Sequence, residues 1–292
     1  MAFAVSFQSK RPGETADQYD QRLAQSQGVE KMIQDAGGHL LPNGFDELFQ
    51  PTALNTVALS PREAGETRAT LTLTAAAQSL GFTALVADGH SRKVKYMQAL
   101  ALGLPCISDR WVTTCLEKKQ VVDWIPYLLC AGQSAFLRDA IRSRYLAAYP
   151  ASEARLAEVV ERRDRLLHGS RILLVMKRSR QEDKKMPYVF LAHVLGAALS
   201  RAYSMDEARE MMRQGELLGS PFDWVYVDEK TGTDDGLYAS TRAQDTGTAK
   251  KRKRKSAGHA LPAPKRIRRL SDELVIQSLI LGRMIDEGEL EG

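Results

Sequence analysis

The chain has 292 residues, 43% of them apolar, enough for one large or two medium domains with real cores. No apolar run of about 18 residues occurs, which excludes a membrane-spanning helix, and the opening MAFAVSFQSK lacks the basic start of a secretion signal. The net charge of +5 belongs to one segment: residues 250–269 hold ten Lys/Arg and no acid, leaving 31 basic and 36 acidic side chains elsewhere, a balance that argues against a nucleic-acid footprint over the folded surface.

In chain order, residues 1–9 suit a short strand, and a polar stretch follows. Val29, Met32, Ile33 and Ala36 then fall at helical spacing before Gly37-Gly38. His39–Leu41 is a brief strand candidate, and residues 50–68 read as loop. ATLTLT (69–74) alternates with period two but could equally begin a helix through Leu80. FTALVA (82–87) is a continuous apolar run before Asp88-Gly89, suited to a buried parallel strand. Ser91–Leu102 reads as a helix capped by Ser91 and ended by Gly103, Pro105–Ser108 as a strand, and Trp111–Lys118 as a helix.

Residues 124–150 form a connection with aromatic anchors, and 152–168 an amphipathic helix. RILLVM (171–176) starts a second series: helix 187–199, strand near 201–205, helix 206–214, strand 222–228 and a closing helix 272–283. Residues 230–264 have no apolar periodicity and are expected to be disordered. Cys106, Cys115 and Cys130 form no CxxC pair and read as reduced, packed thiols of an intracellular protein.

An internal repeat organises these elements. Ser108, Asp109, Val112 and Leu116 recur as Ser271, Asp272, Val275 and Leu279. FTALVAD (82–88) matches FDWVYVD (222–228), and AFAVS (2–6) matches ILLVM (172–176). Two similar strand–helix units are thus joined by a linker, and the second carries an insertion that includes the basic segment.

Trp111-Val112-x-x-Cys115-Leu116 after Pro105-Cys106-Ile107-Ser108 resembles the signature of a BRCT repeat. The stretch 85–112, with DWIPYLLCAG (123–132) and LSDELVIQSLILGRMI (270–285), resembles the tandem BRCT pair of the DNA-damage checkpoint mediators, the fungal adaptors above all. The resemblance implies an α/β fold of two repeats, each a four-stranded parallel sheet flanked by helices. The expected spans are 1–122 for the first repeat, 123–169 for a helical linker and 170–292 for the second repeat, with a disordered basic insertion at 230–268. Leu274 stands where the family usually has Trp. Family adaptors usually carry an upstream Tudor region, and none is visible in this sequence.

The family also implies a phosphopeptide pocket in the first repeat, and the residues suit one. A phosphate needs fixed N–H and cationic donors converging on a point. Ser6 and the backbone N–H of Phe7 lie at the carboxyl edge of a parallel strand, where ligand crevices form. Arg92 and Lys95, three apart at the start of the 91–102 helix, are expected on one face, with the helix N-terminus adding positive potential. In the family, residues at the positions of Ser6 and Lys95 hold the phosphate, and the one at Arg92 contacts the peptide backbone or its carboxyl end. Lys93, about 100° round the helix from Arg92, is expected to support them. The second repeat has Met176 where the first has Ser6, which argues for one pocket.

Lys250, Lys251, Arg252, Lys253, Arg254 and Lys255, then Lys265, Arg266, Arg268 and Arg269, resemble a bipartite nuclear import signal; contact with DNA phosphates is the runner-up. The five histidines are scattered, and no nucleophile elbow, Walker loop or dinucleotide fingerprint is present. The expectation is a nuclear, non-catalytic scaffold without cofactor or metal. Its expected partners are a phosphorylated protein tail (histone H2A in this branch), checkpoint kinases or other damage-response proteins, and an import receptor. A phosphate-independent protein–protein or homodimer module is the alternative. No membrane partner is expected.

Overall fold

The computed structural model describes residues 1–50, 71–177, 182–228, 230–233, 237–238 and 267–286, with side chains from 186 onward in the third stretch. The loop expected over 50–68 and the disorder expected over 230–264 fall almost wholly outside these residues.

The first sheet comes from β1 (Ala2–Val5), β2 (His39–Leu40), β3 (Thr83–Ala87) and β4 (Cys106–Ser108), with α1 (Ala16–Asp35), α2 (Ala75–Gln78), α3 (Val94–Ala101) and α4 (Arg110–Lys118) around it. Its strands are parallel in the order β2-β1-β3-β4. An antiparallel hairpin, β5 (Gly132–Ser134) and β6 (Ala140–Arg142), and then α5 (Leu156–Arg162), follow. The second sheet comes from β7 (Arg171–Val175), β8 (Ala198–Ala202), β9 (Trp224–Val227) and β10 (Arg268–Arg269). Its helices are α6 (Glu182–Val194), α7 (Met205–Leu217) and α8 (Asp272–Leu281). These strands, also parallel, run β10-β9-β7-β8, the same connectivity as the first sheet. The α/β fold of two four-stranded parallel sheets is therefore present.

Several boundaries differ from the sequence expectation for identifiable reasons. α1 begins at Ala16, well before Val29, because Thr15 and Gln18 form a reciprocal capping box. Only its second half buries an apolar stripe, through Val29 and Ile33, so the first half shows no apolar period. α3 begins at Val94 with Lys93 at the N-cap; the Ser91 hydroxyl accepts from the Lys93 amide instead of capping a longer helix. The linker contains a hairpin the sequence did not announce, turned by Arg138 and Asp139 in the left-handed region (φ 53° and 62°), and α5 is shorter than the helix expected at 152–168. In the second repeat the first helix and strand sit several residues earlier than expected, at 182–194 and 198–202.

β1 and β3 are buried along their whole length, which explains their unbroken apolar runs. On one face of the first sheet, Phe3, Phe82 and Trp111 pack with ring centroids 5.4–6.3 Å apart. On the other face, α3 packs against α6 and α8, so Tyr96 and Met97 share one core with Phe190, Leu274 and Ile280. Phe49 meets Phe190 at 5.5 Å across this junction. Leu274 is fully buried there as an apolar core residue.

Two linker arginines reach helix ends of both repeats. Arg144 donates to the main-chain oxygens of Leu104 and Ala99, beside the end of α3. Arg163 donates to that of Val194, the last residue of α6 (2.9 Å). Arg163 satisfies a carbonyl that a helix end leaves without a partner, while Arg144 adds a second donor to Ala99 O, which already accepts from the Leu104 amide.

Candidate functional site

The site arises where the β1–β2 ladder stops early. His39 N–H donates to Met1 O and Leu41 N–H to Phe3 O. The next rung would join Asn43 to Val5, but the Asn43 amide turns to the Glu47 carboxylate. Gly44 makes that departure feasible: its φ is 127°, and a Cβ there would lie 2.6 Å from the Gln98 side-chain oxygen. That oxygen accepts from the Phe45 amide (3.0 Å) and fixes the loop.

β1 therefore has an open edge from Val5 onward. The Ser6 amide points the other way, to Val86 O in β3 (3.0 Å), so Val5 and Phe7 face the opening. Two ammonium groups occupy it. Lys95 Nζ donates to Val5 O (3.3 Å), and Lys93 Nζ donates to Phe7 O (2.6 Å). Neither the Ser6 hydroxyl nor the Phe7 N–H has a hydrogen-bond partner among the described residues. Ser6, Phe7, Lys93 and Lys95 line one cavity of about 430 Å³, with α1 as its far wall. The convergent groups are all donors, a set suited to an oxyanion. Burial, the largest cause, pulls the pKa of half-buried Lys95 below its ordinary value; Lys93 adds to this, while Glu30, Glu47 and Asp46 oppose it. An anion in the cavity would offset that cost.

Arg22 also lines the cavity, but its charge is engaged. Nε and one terminal nitrogen grip Glu14 (2.9 and 2.7 Å); the other terminal nitrogen reaches Asp88 (3.0 Å) and Gln8 O (2.7 Å). Asp88 in turn accepts from the Gln8 amide (2.7 Å) and from Arg11 (3.0 Å). The Gln8 side chain accepts from Arg11 and donates to His90 O. Every polar group of Gln8 is thus held, which fixes the turn that presents Phe7. The ion pairs to Asp88 join positions 66 and 77 residues apart, and no local pattern marks them.

Two expectations need correction. Arg92 precedes α3 and shares no helical face with Lys95; it leaves the cavity and pairs with Glu273 of α8, across the repeat junction. Lys93, expected as a supporting residue, is instead the cavity's second ammonium. The repeat alignment also shifts by one residue. Val175 O accepts from Asp228 of the third-strand segment, so Val175, not Met176, stands in register with Ser6. The Met176 amide goes to Ala202 O (2.9 Å) because five-residue β8 covers the edge that two-residue β2 leaves open. Among the described residues the second repeat has neither the hydroxyl nor the open edge at that position.

In the basic segment, Arg268 and Arg269 form β10; the Arg268 guanidinium lies 4.2 Å from the Trp224 ring centroid and 3.3 Å from Asp286. Lys250–Lys255, Lys265 and Arg266 lie outside the described residues.

No protein-family model matches the chain. Over 162 residues, 54% of the chain, it is 29% identical to the DNA repair protein crb2 of Schizosaccharomyces pombe. Over 116 residues, 36% of the chain, it is 32% identical to the DNA repair protein RAD9 of Saccharomyces cerevisiae. The matched regions make up only 19% and 9% of the lengths of those relatives. Among solved structures, the BRCT5–BRCT6 domains of S. pombe Brc1 overlap 97% of this chain and 92% of theirs at 11% identity and a TM-score of 0.46. The yeast Rtt107 and Slx4 structure overlaps 78% of this chain and 33% of its own at 12% identity and a TM-score of 0.23. The chain is thus similar in sequence, over part of its length, to these two repair proteins, and its two sheets share one strand order.

Proposed function

We propose that the chain is a nuclear, non-catalytic scaffold of the DNA-damage checkpoint whose first repeat binds a phosphorylated protein tail, that of histone H2A. The observation that carries this is the open edge of β1, where Lys93, Lys95, the Ser6 hydroxyl and the Phe7 N–H converge. A phosphate carries roughly −1.5 to −2 charge at neutral pH and three acceptor oxygens, which matches that donor set. Arg92, half-exposed and next in the chain to cavity-lining Lys93, would meet the peptide beyond the phosphate, where a carboxylate would compete with Glu273. The second repeat buttresses the site through α6 and α8. Residues 250–255 with Lys265, Arg266, Arg268 and Arg269 supply the import signal, and bound chromatin brings checkpoint kinases and other damage-response proteins to the break.

Calorimetry with paired phosphorylated and plain H2A tail peptides tests this. Binding is expected only for the phosphorylated peptide and is weakened at least about tenfold in Ser6→Ala and Lys95→Met. Equal binding of the two peptides overturns it.

A phosphate-independent homodimer is the second reading, favoured by an apolar cleft of about 400 Å³ between α1 and α4 that includes Phe3, Ile33, Trp111 and half-exposed Leu116. A concentration-dependent mass in light scattering, together with phosphopeptide titrations that show no binding, would select it.

A further inference from the structure

We infer that the α1 wall of the same cavity is a second subsite, which reads an apolar side chain on the amino-terminal side of the phosphorylated residue. This rests on the phosphopeptide reading and adds a sequence preference to it. The cavity's 430 Å³ falls within the range of about 300–1,000 Å³ typical of sites that enclose whole small ligands, so a phosphate group leaves much of it to be filled. The cationic donors stand on one side. Opposite them, Tyr19, Leu23 and Ser26 recur at i, i+4 and i+7 and so share one face of α1.

This wall is prepared for a ligand in two ways. Leu23 is 48% exposed at a position that lines the cavity, an apolar surface with no protein cover. The Tyr19 hydroxyl, the Ser26 hydroxyl and the Asn43 side-chain amide make no hydrogen bond to any described residue, so polar groups for a peptide backbone stand beside it. Arg22, the cation on this wall, is already neutralised by Glu14 and Asp88. The wall therefore favours apolar bulk and gives no counter-charge to an acidic side chain.

Direction follows from the fold. α3 faces the second repeat through α6 and α8, and Arg92 joins that side through Glu273. α1 packs on β1, β2 and α4, the opposite face of the sheet. A peptide whose residues after the phosphate run toward Arg92 must lay the preceding residue on Tyr19 and Leu23.

Fluorescence anisotropy with H2A tail phosphopeptides carrying Ala, Leu or Asp immediately before the phosphoserine, each with its plain counterpart, tests the subsite. The wild-type chain is expected to bind the Leu peptide about tenfold tighter than the Asp peptide. Leu23→Lys, an exposed change that leaves the core untouched, is expected to reverse that order while binding stays phosphate-dependent. The same ranking by both proteins overturns the subsite. Phosphorylated and plain peptides bound alike overturn the underlying phosphopeptide reading instead.

Discussion

Lys95 takes the place of Asn43 at the main-chain oxygen of Val5. The ladder that begins with His39 and Leu41 would bring the Asn43 amide there, and an ammonium group arrives in its stead. A sheet edge is thereby closed by a charge that can be shared with a ligand, whereas a strand would have sealed it.

The first prediction concerns that exchange. Lys95→Met should leave the thermal midpoint unchanged or raised, because it removes a half-buried ammonium whose pKa burial has already lowered. Phosphopeptide affinity should fall about 10- to 100-fold, the worth of one charge-assisted hydrogen bond of about 1.5–3 kcal/mol. The pH dependence has a definite sign. With its pKa lowered in the fold, Lys95 holds its proton more tightly unfolded, so stability rises as pH climbs through the lowered value toward the ordinary 10.5. Affinity falls over the same range as the ammonium is lost. Denaturation and calorimetry between pH 7 and 10 on both proteins would read the two trends; a wild-type affinity flat across that range would contradict the assignment.

The second prediction concerns the clamp beneath the cavity. The side chains of Arg22 and Asp88 are only 11% and 9% exposed, yet each keeps another partner, Glu14 and Arg11 respectively. Arg22→Ala should therefore cost about 2 kcal/mol, less than the loss of a buried pair with no second partner. It should also weaken phosphopeptide binding without changing its phosphate dependence, since Arg22 orders the turn and does not face the phosphate. Glu14, with its pKa held at about 2 chiefly by the Arg22 hydrogen bond and then by the Arg11 amide, adds an acid signature. The stability it confers is complete above 4.5 and is lost as pH falls toward about 2. Acid titration of Arg22→Ala by circular dichroism should show a smaller loss over that window.

The topology was legible where a pattern is local. The apolar runs at 2–5 and 82–87, the helix after Ser108 and the recurrence of Ser-Asp at 108–109 and 271–272 point to two similar strand–helix units, and the two parallel sheets are what the family resemblance adds. The T-x-x-Q capping box of α1 was also in the sequence, although the polar face that follows concealed the helix it starts. In the site, Ser6, Phe7, Lys93 and Lys95 were identifiable from the family pattern. The division of labour among the basic residues was not, because a one-turn difference in where α3 begins sends Arg92 to Glu273 and Lys93 into the cavity. Nor could sequence reveal that Asn43 abandons the ladder, since that depends on Gly44 and on Gln98, more than fifty residues away.

The third prediction is a pH weakness in the second repeat. His193 on α6 is 3% exposed, and neither ring nitrogen has a hydrogen-bond partner among the described residues. Burial lowers its pKa to about 4, overriding the preference of a helix C-terminus for a cation. The unfolded chain takes up the proton first, so stability should drop as pH falls from 6.5 toward about 4, by about 3 kcal/mol in total. His193→Leu should remove this dependence and raise stability at neutral pH by about 1 kcal/mol, since an unsatisfied buried polar group is exchanged for an apolar one. Urea midpoints at pH 7 and pH 5 would settle it; the same drop in both proteins would exclude His193 as its source.

The last prediction concerns the link between Arg92 and the repeat junction. Ser134 of the linker hairpin donates to the Gln277 side-chain oxygen (2.9 Å) in a fully buried contact. Gln277 donates onward to Glu273 (2.8 Å), and Glu273 holds Arg92. The chain of bonds runs from the hairpin through the last helix to Arg92, beside cavity-lining Lys93, and joins the linker and both repeats. Gln277→Leu strands the Ser134 hydroxyl and should cost about 1–3 kcal/mol. Ser134→Ala alone leaves the Gln277 oxygen without a donor and should cost a similar amount. The double variant removes both partners, so its cost should be well below the sum, with a coupling of about 1 kcal/mol. Strict additivity in chemical denaturation would mean that the two side chains do not depend on each other. Gln277→Leu should also free Glu273 to swing from Arg92. Its effect on peptide affinity should therefore be confined to ligands with a carboxylate beyond the phosphate, and amidated peptides should bind both proteins alike.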